Sequence, residues 1–457
     1  MKRLSPMDAL FLLLERRHQP LHVGALTLYE PPPGSPPDFA AQLAERLRQS
    51  TTAAPPFNRR LTSKLGINFW EEDEDFDLAH HFVHMSLPKP GRIRELLAMV
   101  SRVHCAHLDR AYPLWRTYLI EGLEDGRIAT YSKIHHALVD GVAGIRLMIK
   151  SMSPDAEASV DMPPPWEVRT KKSRSPVLPV PTVPVDGLSA LRGLAREGAM
   201  ALPPIFRELK STYADFRAKN PDLVTSFQAP RCILNAPITA SRRFAAQSYA
   251  TARIKKVAAG YGATQNDVIL AMCGAALRHY LQDLNALPDR PLVAGVPVSL
   301  RRDDSDSGNE VAFTLTHLGT HIADPGERLA AIKGVMDYNK KRMRELSPAQ
   351  LITYGSLFLL PGAFTLIKPL SRASTALNVV ISHVPGPRQP MYWQGCQLSG
   401  LYPVSLIIDG VALNITLVSR QDYVDFGLIA CRKTLPHVQR LLDYLEEGLA
   451  DLEASLQ

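Results

Sequence analysis

The sequence predicts an α/β protein in which two domains of similar build are joined by a proline-rich linker. Its length of 457 residues suggests two or three domains. Helical and strand-like patterns alternate on both sides of residues 154–184, where frequent prolines exclude regular structure. We therefore expect an N-terminal domain over residues 1–153, a linker with helices over 154–240, and a C-terminal domain over 241–457.

The N-terminal region predicts three helices, one strand and one hairpin. Its helices repeat apolar residues every three or four positions, whereas its strands alternate apolar and polar residues. Ser5 is the expected cap of the first helix, with Pro6 at its first position. In chain order these elements are a helix to about Arg16, a strand over 22–30, helices over 38–49 and 92–108, and strands over 116–121 and 127–134.

The rest of the chain continues the same mixture after the linker. Asn266 and Asp267 are expected to cap its longest apolar helix. The predicted elements are helices over 188–201, 204–217, 253–259, 268–281, 324–346 and 436–456, and strands beginning at 242 and covering 291–300, 311–321, 378–382, 411–419 and 423–430.

Composition and charge fit a soluble protein with a large core. Hydrophobic residues make up 46% of the chain and charged residues 21%, with a net charge of +7. A basic face attracts anionic phosphates, as in coenzyme A, a lipid head group or nucleic acid. Lysine and arginine are scattered and not interleaved with aromatic residues, so nucleic acid is the weaker of these interpretations.

Cysteine usage and the N-terminus predict a cytoplasmic location. The five cysteines are widely spaced and form no Cys-x-x-Cys pair, so neither a zinc site nor a disulfide framework is expected. The N-terminus lacks the apolar core of a signal peptide. The longest apolar stretch, 355–367, is too short to span a bilayer and is interrupted by Pro361-Gly362.

The most informative segment is His135-His136-Ala-Leu-Val-Asp140-Gly141, at the end of a predicted strand. Histidine has an ordinary pKa of about 6.5 and can serve as a general base near neutral pH. Adjacent residues of an extended chain point to opposite sides, so only one of the two histidines is the base at a given site. Asp140 either fixes the loop that aims this base, caps the helix that follows, or does both.

Other candidates each have a structural and a functional interpretation. Arg301 lies at a strand end and either pairs with Asp140 or faces solvent. Trp115 either fills the core or lines a substrate tunnel, and Asn266 either caps a helix or donates to an oxyanion. The histidines near residue 80 follow an acidic run in what we expect to be surface chain, and we expect no metal site there. The chain contains neither a Gly-x-Ser-x-Gly elbow nor a phosphate-binding P-loop.

The histidine segment resembles the H-H-x-x-x-D-G motif of the bacterial wax ester synthase/diacylglycerol acyltransferases, within the coenzyme A-dependent acyltransferase superfamily. Further segments look like the other landmarks of that family and occur in the right order. These are Leu4-Ser5-Pro6-Met7-Asp8, Pro113-Leu114-Trp115, Asn266-Asp267, Pro297-Val298-Ser299-Leu300-Arg301 and Val384-Pro385-Gly386-Pro387. One departure is His383, where the family pattern leads us to expect asparagine.

The resemblance implies two chloramphenicol-acetyltransferase-like domains with the active site in a tunnel between them. It also implies His136 as the base. We accordingly expect transfer of a fatty acyl group from acyl-CoA to a long-chain alcohol or diacylglycerol, without a covalent intermediate, cofactor or metal. The expected site residues are His135, His136, Asp140 and Asn266 in the catalytic centre, with Gly141, Asp267 and Arg301 as supports.

Two expectations concern the lipid substrates. The segment 353–366, with the small residues Gly355, Gly362 and Ala363, suits either the wall of an apolar tunnel or a plain buried helix. Because the product is insoluble in water, we expect peripheral attachment to a membrane or lipid-droplet surface. The alternatives are a condensation-type enzyme that uses a carrier-protein thioester, a catalytically silent lipid-binding homologue and, more remotely, a nucleic-acid-binding protein.

Overall fold

The structure is a computed structural model that describes residues 1–456 except 5, 65, 170–216, 218–219, 226–227, 300–310 and 346–374. The predicted helices over 188–201 and 204–217 lie almost entirely outside the described residues. The described helices are α1 (Pro6–Leu14), α2 (Phe39–Arg48), α3 (Ile93–Cys105), α4 (Gly141–Lys150), α5 (Thr251–Gly260), α6 (Gln265–Asp283), α7 (Pro325–Glu345) and α8 (Arg440–Ala454).

The strands form three sheets. In chain order they are β1 (Lys2–Arg3), β2 (His22–Glu30), β3 (Arg59–Lys64), β4 (Ile67–Glu72), β5 (Phe82–Ser86), β6 (Trp115–Glu121), β7 (Ile128–His135), β8 (Arg242–Ala250), β9 (Val293–Ser299), β10 (Val311–His317), β11 (Val379–Pro385), β12 (Tyr392–Trp393), β13 (Cys396–Val404), β14 (Leu413–Ser419) and β15 (Tyr423–Cys431). Most predicted elements among the described residues are present with bounds shifted by a few residues, while β1, β3, β4, β5, β12 and β13 were not predicted.

The first six-stranded sheet places the histidine motif. Its strand order is β12-β13-β2-β7-β6-β5, and β7 therefore has a neighbour on each side. β7 is antiparallel to both β2 and β6, and His135 at its end lies opposite His22 of β2. Because β7 is an interior strand, backbone hydrogen bonds to both neighbours hold it in place as far as the residues at its end.

The second six-stranded sheet has the order β10-β9-β11-β14-β15-β8. Its two central pairs, β9–β11 and β11–β14, are parallel, and its outer pairs are antiparallel. The small third sheet, β1-β4-β3, is antiparallel and packs against α1 through Trp70.

The two large sheets are interlocked, because the C-terminal part of the chain contributes to both. β12 and β13 pair with the first sheet, so residues 392–404 belong to the sheet built mainly from residues 1–153. β13 also crosses β15 closely: a Cβ atom at Gly427 would lie 1.8 Å from the carbonyl oxygen of Pro403. Buried Asp425 of β15 accepts the Leu401 N–H of β13 at 2.8 Å. One apolar cluster spans strands of both sheets together with α3, α6 and α8.

Candidate active site

The loop after β7 is held by the helix that follows it. Asp140 is the N-cap of α4, and its Oδ1 accepts the backbone N–H of Ala143 at 2.8 Å. This bond satisfies one of the free amide groups in the first turn of the helix. The capping interpretation of Asp140 is therefore confirmed, and Gly141 is the first residue of α4.

His135 is buried and faces the interior. Its side chain is 1% exposed, and its Nδ1 accepts the backbone N–H of Ala137 at 3.1 Å. The proton of the neutral ring is therefore on Nε2, which lies 3.4 Å from Oε1 of Glu15. An imidazole held by an amide on one side and a carboxylate on the other has a fixed tautomer and orientation.

Glu15 is the carboxylate behind His135, and sequence reasoning missed it. It follows α1, its side chain is 6% exposed, and it accepts hydrogen bonds from Leu21 N–H at 3.2 Å and Arg110 Nη2 at 2.9 Å. Burial alone would raise its pKa, but His135, Arg110 and the Leu21 amide outweigh burial and lower the pKa of Glu15 to about 2. The group is therefore an anion throughout the neutral range.

His136 has a different environment. Its backbone N–H donates to Leu21 O at 2.9 Å, and its half-buried ring stacks on Phe11 of α1 with centroids 4.2 Å apart. Burial lowers the pKa of His136, while the charges of Asp140 and Asp8 oppose that effect. At pH 7 the imidazole is therefore mostly neutral, which is the form that a general base needs.

A buried polar network joins the first sheet to the end of α3, next to the histidine motif. Lys133 of β7 is 2% exposed, and its Nζ donates to Val103 O at 3.0 Å and Ala106 O at 2.6 Å at the end of α3. Burial, followed by the charge of Arg116, lowers the pKa of Lys133 to about 8. The lysine therefore donates to two carbonyl groups at the end of α3, where a helix has more backbone acceptors than donors.

The same network continues through His104 to the C-terminal part of the chain. The His104 ring contacts the Tyr131 hydroxyl at 2.6 Å through Nδ1 and donates from Nε2 to Ser405 O at 3.1 Å. His22 Nε2 donates to the carbonyl oxygen of His104 at 2.7 Å. Tyr131, Lys133 and His135 alternate on the buried face of β7, which is the sequence signal that could have revealed this network.

The prediction that Asn266 caps the long helix is wrong. α6 begins at Gln265, and its N-cap is Thr264, whose side chain accepts the Asp267 N–H while the Asp267 carboxylate accepts the Thr264 N–H. The reciprocal pair is a capping box, and it leaves Asn266 half-buried in the first turn. Asp267 is 0% exposed, which fits the supporting role expected of it.

Trp115 is packed as a core residue. Its side chain is 3% exposed, its indole N–H donates to Phe57 O at 2.8 Å, and its ring stacks on His81 at 4.5 Å and on Trp166 at 5.7 Å. These contacts support the core interpretation and not the tunnel interpretation. The expectation that the chain near residue 80 lies on the surface holds for His80, whose side chain is 43% exposed, but is wrong for His81, which is 2% exposed.

His383, the departure from the family pattern, has a specific partner. Its Nε2 contacts the hydroxyl of Ser419 on the neighbouring strand β14 at 2.6 Å. Burial lowers the pKa of His383 to about 4, so the ring is neutral at pH 7. A neutral imidazole thus joins β11 to β14 at this position.

Four predicted site residues lie outside the described residues: Arg301, Gly355, Gly362 and Ala363. The pairing of Arg301 with Asp140 and the tunnel lining around Gly362 therefore stay predictions. Conversely, Phe11 and Glu15 contact the two motif histidines although no motif drew attention to them.

Comparison with known proteins identifies the class of protein that this fold and motif define. Residues 4–269 match the wax ester synthase/diacylglycerol acyltransferase catalytic domain, and residues 307–453 match the WS/DGAT C-terminal domain. The chain therefore belongs to the wax ester synthase/diacylglycerol acyltransferase family. This result confirms the predicted family and the predicted class of enzyme, an O-acyltransferase.

Individual relatives agree with this assignment over the full chain. The sequence is 45% identical to the O-acyltransferase WSD of Acinetobacter baylyi, with 98% of this chain and 96% of that protein covered. The solved wax ester synthase/diacylglycerol acyltransferase of Marinobacter aquaeolei VT8 is 45% identical, covers both chains completely and superposes with a TM-score of 0.79. The first condensation domain of the CDA synthetase, 17% identical with a TM-score of 0.57 over 100% of this chain and 96% of that one, shares the fold. The predicted α/β class is confirmed.

Proposed function

We propose that this enzyme transfers a fatty acyl group from acyl-CoA to the hydroxyl group of a long-chain alcohol or a diacylglycerol, with His136 as general base. The observation that carries the proposal is a neutral, half-buried imidazole on the loop 136–140 of a member of this family. The family name covers both wax ester synthesis and acyl transfer to diacylglycerol.

The chemistry needs one proton acceptor that later becomes a donor. His136 takes the hydroxyl proton as the acceptor oxygen attacks the thioester carbonyl. The tetrahedral intermediate collapses, the carbon–sulfur bond breaks, and the imidazolium returns its proton to the departing thiolate. One ester and one free coenzyme A result, and no acyl group is attached to the protein.

The remaining site residues have positioning roles in this proposal. His135 and Glu15 fix the end of β7, and Asp140 fixes the start of α4, so the loop between them is anchored at both ends. Asn266, in the first turn of α6, stays the proposed donor to the oxyanion. Hydrogen-bond donors fixed in place for the oxyanion supply a large part of acyl-transfer catalysis. The proton transfers described need neither a metal nor an organic cofactor.

The apolar substrates lead to two further parts of the proposal. We expect Gly355, Gly362 and Ala363 to border the path of an aliphatic chain, so that enlarging Gly362 shortens the preferred chain length. We also expect the enzyme to act in the cytoplasm, peripherally bound to membranes or lipid inclusions. None of the described helices is long and apolar enough to cross a bilayer.

A direct assay tests the proposal. Purified protein is given labelled palmitoyl-CoA, with hexadecanol and dipalmitoylglycerol as competing acceptors, and the labelled esters are separated. We expect labelled ester and free coenzyme A in equal amounts. Ester formation only from a carrier-protein thioester would replace acyl-CoA as the donor, and lipid binding without turnover would identify a silent homologue.

A further inference from the structure

The outer face of α1 is apolar and exposed. Leu13 is 77% exposed and Leu10 is 40% exposed, and Ala9 beside them is also exposed. At 3.6 residues per turn these three residues share one side of the helix, opposite Phe11 and Glu15. Apolar side chains grouped on one exposed face, unlike isolated ones, mark a surface that contacts a partner or a lipid.

Positive charges flank α1 in the sequence on both sides. Lys2 and Arg3 precede α1 and Arg16 and Arg17 follow it, and all four side chains are exposed. The two acidic residues of the segment are not exposed on this face. Glu15 is 6% exposed, and Asp8 is half-buried, where its charge raises the pKa of His136. Within the described part of residues 1–17, every exposed charge is therefore positive.

This pattern fits one kind of partner. Apolar side chains in the middle of a helix and cations at its ends match a lipid surface, where leucines enter the acyl region and lysine or arginine contacts anionic head groups. A second copy of the chain fits poorly, because pairing the two leucine faces would bring the flanking cations of both copies together. The net charge of +7 acts in the same direction as the local charge.

The inner face of the same helix holds the histidine motif. Phe11 stacks on His136, and Leu12 is buried in a cluster with Leu114 and Ala137 of the motif region. Glu15, one turn beyond Phe11, lies 3.4 Å from His135. α1 and the residue that follows it therefore contact both motif histidines on one side, while the helix presents leucines on the other.

We propose that α1 is a lipid-docking helix that seats the enzyme on an anionic lipid surface and brings the loop of His136 next to the source of its acceptor. The inference rests on the proposed function only in taking the acceptor to be a lipid. It predicts that Leu10 and Leu13 matter for acceptors presented in a lipid surface far more than for acceptors dissolved in water.

The first test measures binding without catalysis. Vesicles of phosphatidylcholine with phosphatidylglycerol, and of phosphatidylcholine alone, are floated with the full-length protein. We expect the wild type to float with the anionic vesicles and the Leu10→Gln/Leu13→Gln variant to partition at least about tenfold less, since two leucines lose their burial in lipid. The matched control is Ile93→Gln/Val160→Gln, which also removes two exposed apolar side chains, 42% and 39% exposed, and should float like the wild type.

Charge is tested separately. Arg16→Gln/Arg17→Gln should weaken binding to the anionic vesicles about tenfold and leave binding to phosphatidylcholine unchanged, because basic residues contribute only against a negative surface. Arg48→Gln/Arg94→Gln, which removes two exposed arginines elsewhere, is the control for net charge.

The third measurement links docking to turnover. With palmitoyl-CoA as donor, the leucine variant should lose at least about ten times more activity toward dioleoylglycerol in anionic vesicles than toward butanol in solution. Equal losses on both acceptors, or flotation of the leucine variant equal to that of the wild type, would overturn the inference. A change of oligomeric state in the leucine variant would assign the face to a second copy instead. Failure of the wild type to acylate either acceptor would count against the proposed function and leave the flotation result standing.

Discussion

The end of β7 and the loop that follows it are neighbours in sequence, yet their ionisable groups have different surroundings. Lys133 and His135 are 2% and 1% exposed, and backbone groups and a carboxylate surround their polar atoms. His136 is half-buried and contacts the aromatic ring of Phe11. The first region is enclosed by its contacts, whereas the second holds an imidazole that is only partly buried. Replacing His136 should therefore mainly lower turnover, whereas replacing His135 should mainly lower stability.

The largest expected effect is on turnover in His136→Ala. Loss of general-base catalysis should lower kcat/KM by about 10²–10⁴-fold. Stability should change little, because a stacked aromatic pair contributes only about 0.5–1.5 kcal/mol. Steady-state kinetics with palmitoyl-CoA and hexadecanol and urea unfolding measure the two quantities on the same preparation.

His135→Asn is the matched variant for this comparison. The asparagine oxygen can still accept the Ala137 N–H, but the contact with Glu15 is lost. We expect a loss of about 2 kcal/mol in the free energy of unfolding, because the buried carboxylate of Glu15 loses a polar neighbour. If His135→Asn abolished turnover at wild-type stability while His136→Ala retained more than about a tenth of the activity, the two roles would be reversed.

The second effect concerns the carboxylate behind His135. The pKa of Glu15 is lowered from 4.5 to about 2, so its ionised form stabilises the folded state at pH values above about 4.5. Glu15→Gln should therefore cost about 2–3 kcal/mol at pH 7. The difference between wild type and variant should shrink as the pH falls from about 4.5 toward 2. In this range the unfolded wild-type chain binds a proton at Glu15 that the folded protein does not, so the folded state loses stability.

Urea unfolding of both proteins across this pH range measures the difference. The variant Glu45→Gln removes a carboxylate on the surface of α2, 69% exposed, and serves as the control. A cost for Glu15→Gln that does not vary with pH would show that packing, and not charge, is the reason for the burial of Glu15.

The third effect distinguishes the buried lysine from the motif. Burial lowers the pKa of Lys133 from 10.5 to about 8, so between these pH values the unfolded chain binds a proton that the folded protein lacks. The stability of the wild type should therefore rise relative to Lys133→Met over this range, by up to about 2 kcal/mol. Unfolding curves at pH 7.5 and at pH 10 (roughly the ends of the window) measure the change. A constant difference would place the lysine in a wetter environment than its contacts indicate.

The same contrast explains which parts of the fold could be predicted from sequence. β2 and β7 were found because they carry many branched or aromatic side chains, most of which are buried. β3, with the sequence Arg-Arg-Leu-Thr-Ser-Lys, has no residue that is fully buried, and so it shows no apolar alternation. β13 was missed because it is placed by long-range pairing with β2, which no local pattern encodes.

The candidate site follows the same division. The motif His135–Gly141 is local, and the cap made by Asp140 could be predicted from its position before a helix. Phe11 and Glu15 lie more than a hundred residues earlier, and only the tertiary structure brings α1 to the end of β7. The misplaced cap at Asn266 has a simpler cause, because Thr264 and Asp267 form a capping box whose three-residue spacing was overlooked.

The smallest expected effect lies within the loop itself. The charge of Asp140 raises the pKa of His136 against the effect of burial. Asp140→Asn keeps a side-chain oxygen for the Ala143 N–H and so should keep the cap, but it removes the charge. The acid limb of the kcat/KM profile, which reports the pKa of the free enzyme, should therefore shift to lower pH, and kcat/KM at pH 7 should fall by less than about tenfold. Asp140→Ala, which also removes the cap, should in addition lose about 1 kcal/mol of stability. A much larger loss of activity in Asp140→Asn at unchanged stability would show that the carboxylate holds the loop through its charge, as the predicted pairing with Arg301 requires.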